Sequence, residues 1–85
     1  MSGIFRAGQL VTPEDWVDPA LELYNEPDVL AASWSTLAYV LGTLEPGDVA
    51  MVIAVPKRDG SSVYVLGPNG GGWTFGAMLK VVEDV

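Results

Sequence analysis

The chain has 85 residues, 49% hydrophobic and 18% charged, with 11 acids, 4 bases and no histidine or cysteine, for a formal charge of −7. That length leaves room for one small core and none for a doubly wound nucleotide domain or a (β/α)₈ barrel, while the apolar content argues against intrinsic disorder. Without cysteine or histidine there is no disulfide, no thiol nucleophile, no Ser-His-Asp relay and no imidazole metal ligand.

The first residues, Met1-Ser2-Gly3-Ile4-Phe5-Arg6, show no basic segment leading into an apolar run, so we expect no cleaved secretory signal. Gln9-Leu10-Val11 reads as a first short strand. From Glu14 to Asp28 there are six acids and no base. Phosphate binding needs clustered Lys and Arg, so we expect no nucleic-acid partner, and such a face also repels anionic lipid. It suits a basic partner, although a solvated acidic surface that serves solubility is the plainer reading. Glu14, Asp15 and Asp18 lack the alternating ligand spacing of a calcium loop, so no metal site is expected there.

Leu21-Glu22-Leu23-Tyr24 alternates, with Leu21 and Leu23 on one face and Glu22 and Tyr24 on the other. Val29 to Leu44 carries two patterns. Leu30, Trp34, Leu37, Leu41 and Leu44 recur at helical spacing, and Asp28 is a suitable cap. Thr36, Tyr39, Val40 and Thr43 favour strand, and Gly42 weakens a helix. We expect a helical turn or loop over 28–33 and a strand from about Thr36 to Leu44. This stretch is too short and too interrupted to span a bilayer, and no membrane partner is expected.

Glu45-Pro46-Gly47-Asp48 is a turn, followed by the β-branched run Val49–Val55 that stops at Pro56. Asp59-Gly60 then links it to Ser62–Leu66 as an antiparallel hairpin. Pro68-Asn69-Gly70-Gly71-Gly72 is a turn leading into Gly72-Trp73-Thr74-Phe75. The glycine run lacks the Gly-Lys-Ser/Thr ending of a phosphate loop. Gly76–Leu79 reads as a 3₁₀ turn, and Lys80-Val81-Val82 as a last strand. Short strands at this spacing indicate an all-β domain.

The order Gly47-Asp48-Val49, Val63-Tyr64-Val65, Gly72-Trp73, then Leu79 and Val81 resembles bacterial SH3-type barrels, with Gly8-Gln9-Leu10-Val11 and Leu21–Pro27 where such domains carry early strands. The resemblance runs from about Gly8 to Val82. It implies one SH3-like domain over 1–85, an all-β small SH3-like barrel of five to six short antiparallel strands. The pattern Val63-Tyr64-Val65-Leu66 followed by Gly72-Trp73 also looks similar to small proteins of tailed bacteriophages, which implies a virion accessory protein or a small host-directed binder, placed in the cytoplasm or in a virion. Wall-binding SH3 domains usually accompany a catalytic domain and an export signal, and neither is evident here.

In SH3-like barrels, aromatics beside acidic loops form a peptide groove. On that basis Tyr24, Trp34 and Trp73, with Glu26 and Asp28 as acidic neighbours, are the expected partner-binding residues; core or rim packing is the plainer role for the same rings. The apolar hairpin from Met51 to Leu66 and the Val81-Val82 tail are further docking candidates, for a protein partner or for copies of the same chain as a homo-oligomer. No acid–base or nucleophile constellation is visible, so we expect no enzyme and no cofactor. Two readings follow: a structural protein that docks on a larger assembly, and a soluble peptide-binding module.

Overall fold

Turn chemistry sets where the strands begin and end. Pro46 and Gly47 occupy the two central positions of a turn in which the Asp48 N–H donates to the Glu45 carbonyl at 2.9 Å, and Gly47 has φ of 94°, where a side chain is strained. The Asp48 carboxylate accepts from the Glu45 N–H at 2.9 Å and closes the turn from its other side. The chain leaves this turn directly into the β-branched run that the sequence marks as a strand.

The computed structural model describes residues 5–26, 40–56 and 60–82. Among them lie seven strands: β1 Leu10–Pro13, β2 Leu21–Tyr24, β3 Val40–Leu44, β4 Ala50–Ala54, β5 Ser62–Gly67, β6 Gly70–Phe75 and β7 Leu79–Val81, with a 3₁₀ turn at Gly76–Met78. They form one antiparallel sheet in the order β3-β2-β6-β5-β4-β1-β7. The all-β expectation holds. The strands number one more than the five to six expected, and the sheet is not closed: β3 and β7 are its edges, and no pairing joins them among the described residues. Barrel closure requires that pairing. The helical turn expected over 28–33 and the start of a strand at Thr36 lie outside the described residues.

The β4–β5 hairpin forms as expected, with Met51 opposite Leu66 and Val52 opposite Val65. The ladder shifts between Val52 and Ala54, so Ile53 has no direct opposite residue. Alternation then divides the side chains. Val11, Val52, Val63 and Val65 are fully buried and, with Leu21, Leu23 and Leu44, make the core on the inner face. Each such side chain contributes about 1.5–3 kcal/mol by leaving water.

The far end of the sheet curls back over this core. Leu44 of edge strand β3 reaches β5, where a Cβ on Gly67 would lie 2.6 Å from Leu44 Cδ2. At Gly72 a Cβ would lie 2.8 Å from Leu23 Cβ, so β2 crosses β6 only because that residue has no side chain. Thr74 is the one polar group of the described core with an orphan atom: it is fully buried and its hydroxyl has no partner.

Candidate functional site

Charge is almost absent from the sheet. Glu22 in β2 and Lys80 in β7 are the charged residues of the described strands. Lys80 sits on edge strand β7 and donates to Asp15 at 2.7 Å. That hydrogen bond raises the ammonium pKa above its ordinary value. The β7 edge is thus three residues long and carries a lysine, both recognised ways to discourage strand pairing. The β3 edge, Val-Leu-Gly-Thr-Leu, carries no charge, and Val40 and Leu41 are about half exposed.

The outer face of the sheet is apolar as well. Leu10 of β1 stands opposite Met51 of β4, which stands opposite Leu66 of β5. Directly opposed residues share a face with neighbouring Cβ atoms. These three form a row across three strands, exposed by 43%, 43% and 54%, and Ile53 adds a fourth side chain at 44%. Leu66 also leans towards β6, where its Cδ1 lies 3.3 Å from the place a Cβ would take on Gly71. An antiparallel sheet with one face in water normally alternates apolar and polar residues, whereas β4 is apolar on both sides.

Beside this row lies an aromatic one. Tyr64 of β5 stands opposite Trp73 of β6, which stands opposite Tyr24 of β2. The Tyr64 and Trp73 rings meet edge to face with centroids 5.2 Å apart. Tyr24 is buried, with Trp73 and Phe75 packed against it. Its hydroxyl donates to Glu22 Oε1 at 2.9 Å. Burial first, then this hydrogen bond and the carboxylate charge, pushes the Tyr24 pKa above the usual tyrosine value.

Of the residues expected to bind a partner, the fold brings Tyr24 and Trp73 into direct opposition. Glu26 is exposed two residues beyond the end of β2. Asp28 and Trp34 lie outside the described residues. Sequence reasoning passed over Tyr64, Phe75 and Glu22, although strand alternation places Glu22 on the face of Tyr24.

Clefts open among the described residues. One of about 460 Å³ lies between β2 and the 3₁₀ turn, with Pro19, Glu22, Tyr24, Thr43, Phe75 and Met78 among its walls. Another, of about 690 Å³, lies between Arg6–Leu10 and Val81–Val82. Among the described residues no group of three or more acids is placed to hold a metal ion, and no helix is long and apolar enough to cross a membrane. Compared with known proteins, the chain matches no family model, no curated protein and no solved structure.

Proposed function

We propose that this protein is a non-catalytic interaction protein, a small β domain of SH3-like kind that docks on a larger assembly through its outer sheet face. The observation that carries the reading is the row Leu10–Met51–Leu66. Three large aliphatic side chains on adjacent strands, with no charged residue in β1, β4 or β5, form a continuous apolar surface. Covering it recovers hydrophobic free energy that the isolated chain leaves unused. The partner surface is apolar at its centre and basic at its rim, because the chain has an excess of seven acids. A virus particle is the assembly that the sequence resemblance favours, and further copies of the chain are the alternative partner.

The test is fractionation by size of the tagged chain from its native source, beside the double variant Met51→Glu/Leu66→Glu. Both positions are exposed, so the variant is expected to keep the fold, which circular dichroism checks. The wild-type chain should travel in fixed stoichiometry with a large particle and the folded variant should not. Equal behaviour of the two sinks the reading.

A second reading, a soluble peptide-binding module, is favoured by the adjacency of Tyr64, Trp73 and Tyr24 across three strands. It expects a free chain that binds an extended segment along the Tyr24 side of the sheet.

A further inference from the structure

We infer that the Asn69-Gly70 turn between β5 and β6 is a self-modification site, where the Asn69 amide cyclises onto the Gly70 nitrogen and reopens as isoaspartate or aspartate. The isoaspartate product sets a new carboxylate against edge strand β3. The inference is independent of both readings of function.

The turn is short and open to water. Gly67 stands opposite Gly70, so Pro68 and Asn69 alone make the loop, and Asn69 is exposed. Gly70 has φ of 119°, a conformation that favours glycine. Having no Cβ, it leaves its nitrogen unshielded from the Asn69 side chain. The chain's other asparagine, Asn25, precedes Glu26, whose side chain crowds the corresponding nitrogen. Cyclisation needs Asn69 to rotate until Cγ meets the Gly70 nitrogen. The loop lies at the end of the β5–β6 ladder, so it opens locally while Val63 and Val65 stay in the core.

The chemistry needs only water and hydroxide. Hydroxide takes the Gly70 amide proton, and the nitrogen attacks Cγ of Asn69. An N–Cγ bond forms, the Cγ–Nδ2 bond breaks, and ammonia leaves with a proton from water, which regenerates hydroxide. The cyclic imide then takes up one water. Attack at Cγ gives aspartate. Attack at the main-chain carbonyl carbon gives isoaspartate, whose backbone runs through Cβ and Cγ. Nothing is oxidised or reduced, and each product gains one negative charge. In isoaspartate the former main-chain carbon and oxygen of Asn69 become the free carboxylate. Those atoms already lie against β3: a Cβ on Gly42 would be 2.8 Å from the oxygen and 3.5 Å from the carbon. β3 carries no charged residue to pair with an anion placed there. Conversion to isoaspartate therefore loosens β3 from the hairpin.

Ageing of the full chain tests this. The protein is held for weeks at mildly alkaline pH, folded and, in parallel, in urea. Peptide mapping by mass spectrometry, with fragmentation that separates isoaspartate from aspartate, follows both asparagines. The expected result is first-order loss of Asn69 in the folded chain, faster at higher pH, with isoaspartate among the products and Asn25 intact. Asn69→Gln should abolish the change. Hydrogen exchange reads the consequence: the β3 amides should lose protection in the isoaspartate fraction and keep it in Asn69→Asp, which adds the charge without rerouting the backbone. If Asn69 reacts only in urea, or no faster than Asn25, the modification site is overturned. If isoaspartate forms and β3 keeps its protection, or if Asn69→Asp loses as much, the placement of the carboxylate against β3 is overturned.

Discussion

Tyr24 stands opposite Trp73, and among the described residues this is the one register pair that joins β2 to β6. Among the described residues the β2–β3 ribbon therefore joins the ladder at a single position, reinforced by the aromatic contacts around it and by the core packing of Leu21, Leu23 and Leu44. The same two rings that the sequence marks as partner-binding candidates also hold the sheet together. A groove built this way is tied to the stability of the domain.

Trp73→Ala tests that coupling. Trp73 is half-buried and touches both Tyr24 and Tyr64, so its loss should cost about 2–4 kcal/mol, near the lower end of the range for large aromatic truncations. Trp73→Phe should cost much less. Urea unfolding of the two variants measures the difference, and equal costs would show that the ring contacts contribute little.

Thr74→Val should stabilise the protein. The Thr74 hydroxyl is fully buried without a partner, and valine fills nearly the same volume with no polar atom to desolvate. A gain of about 1 kcal/mol in unfolding free energy is expected. A loss instead would mean that the hydroxyl is satisfied in solution.

Tyr24 makes the stability fall at alkaline pH. Its folded-state pKa lies above the unfolded value of about 10, so the folded state keeps a proton that the unfolded state releases. The contribution is complete below pH about 10 and is lost as pH rises from there through the folded value. Tyrosinate absorbance should show a late-titrating component that Tyr24→Phe removes. Glu22→Gln should lower that late pKa without restoring it fully, because burial is the larger cause. A full return to the ordinary value would make the carboxylate the dominant cause.

Gly72→Ala should destabilise by about 1–3 kcal/mol through overpacking, since the added methyl would meet Leu23 Cβ at 2.8 Å and the Tyr24 carbonyl oxygen at 3.0 Å. Gly8→Ala provides the contrast. It places a methyl where nothing lies within 4 Å, so any cost there comes from its φ of 93° alone.

What the sequence made legible was local. The β-branched run after Gly47-Asp48, the strand signal of Ser62–Leu66 and the alternation of Leu21–Tyr24 each depend on neighbouring residues, and β4, β5 and β2 follow them closely, while Asp59 of the expected hairpin turn lies outside the described residues. The 3₁₀ turn after Phe75 was legible for the same reason. The order of the strands was not. The placement of β1 between β4 and β7, and of β2 beside β6, depends on pairing between segments far apart in the chain, for which a single sequence gives no register. The expected groove was half legible. Tyr24 and Trp73 were chosen as aromatics beside acids, but their opposition, and the contribution of Tyr64 and Phe75, depend on that unread register. Glu22 was placed correctly on the face of Tyr24, yet its bond to the tyrosine hydroxyl depends on side-chain geometry.

The separation of charge from strands has a colloidal consequence. With Glu22 and Lys80 the charged residues of the described sheet, repulsion between molecules comes chiefly from acids in the turns and loops, while the uncharged surface of β1, β4 and β5 is unaffected by pH. Acidification towards the isoelectric point of about 4.1 removes the repulsion and leaves the exposed apolar side chains as they were. Turbidity should therefore rise steeply on that approach while the circular dichroism spectrum still reports folded strands, so that the protein leaves solution before it unfolds.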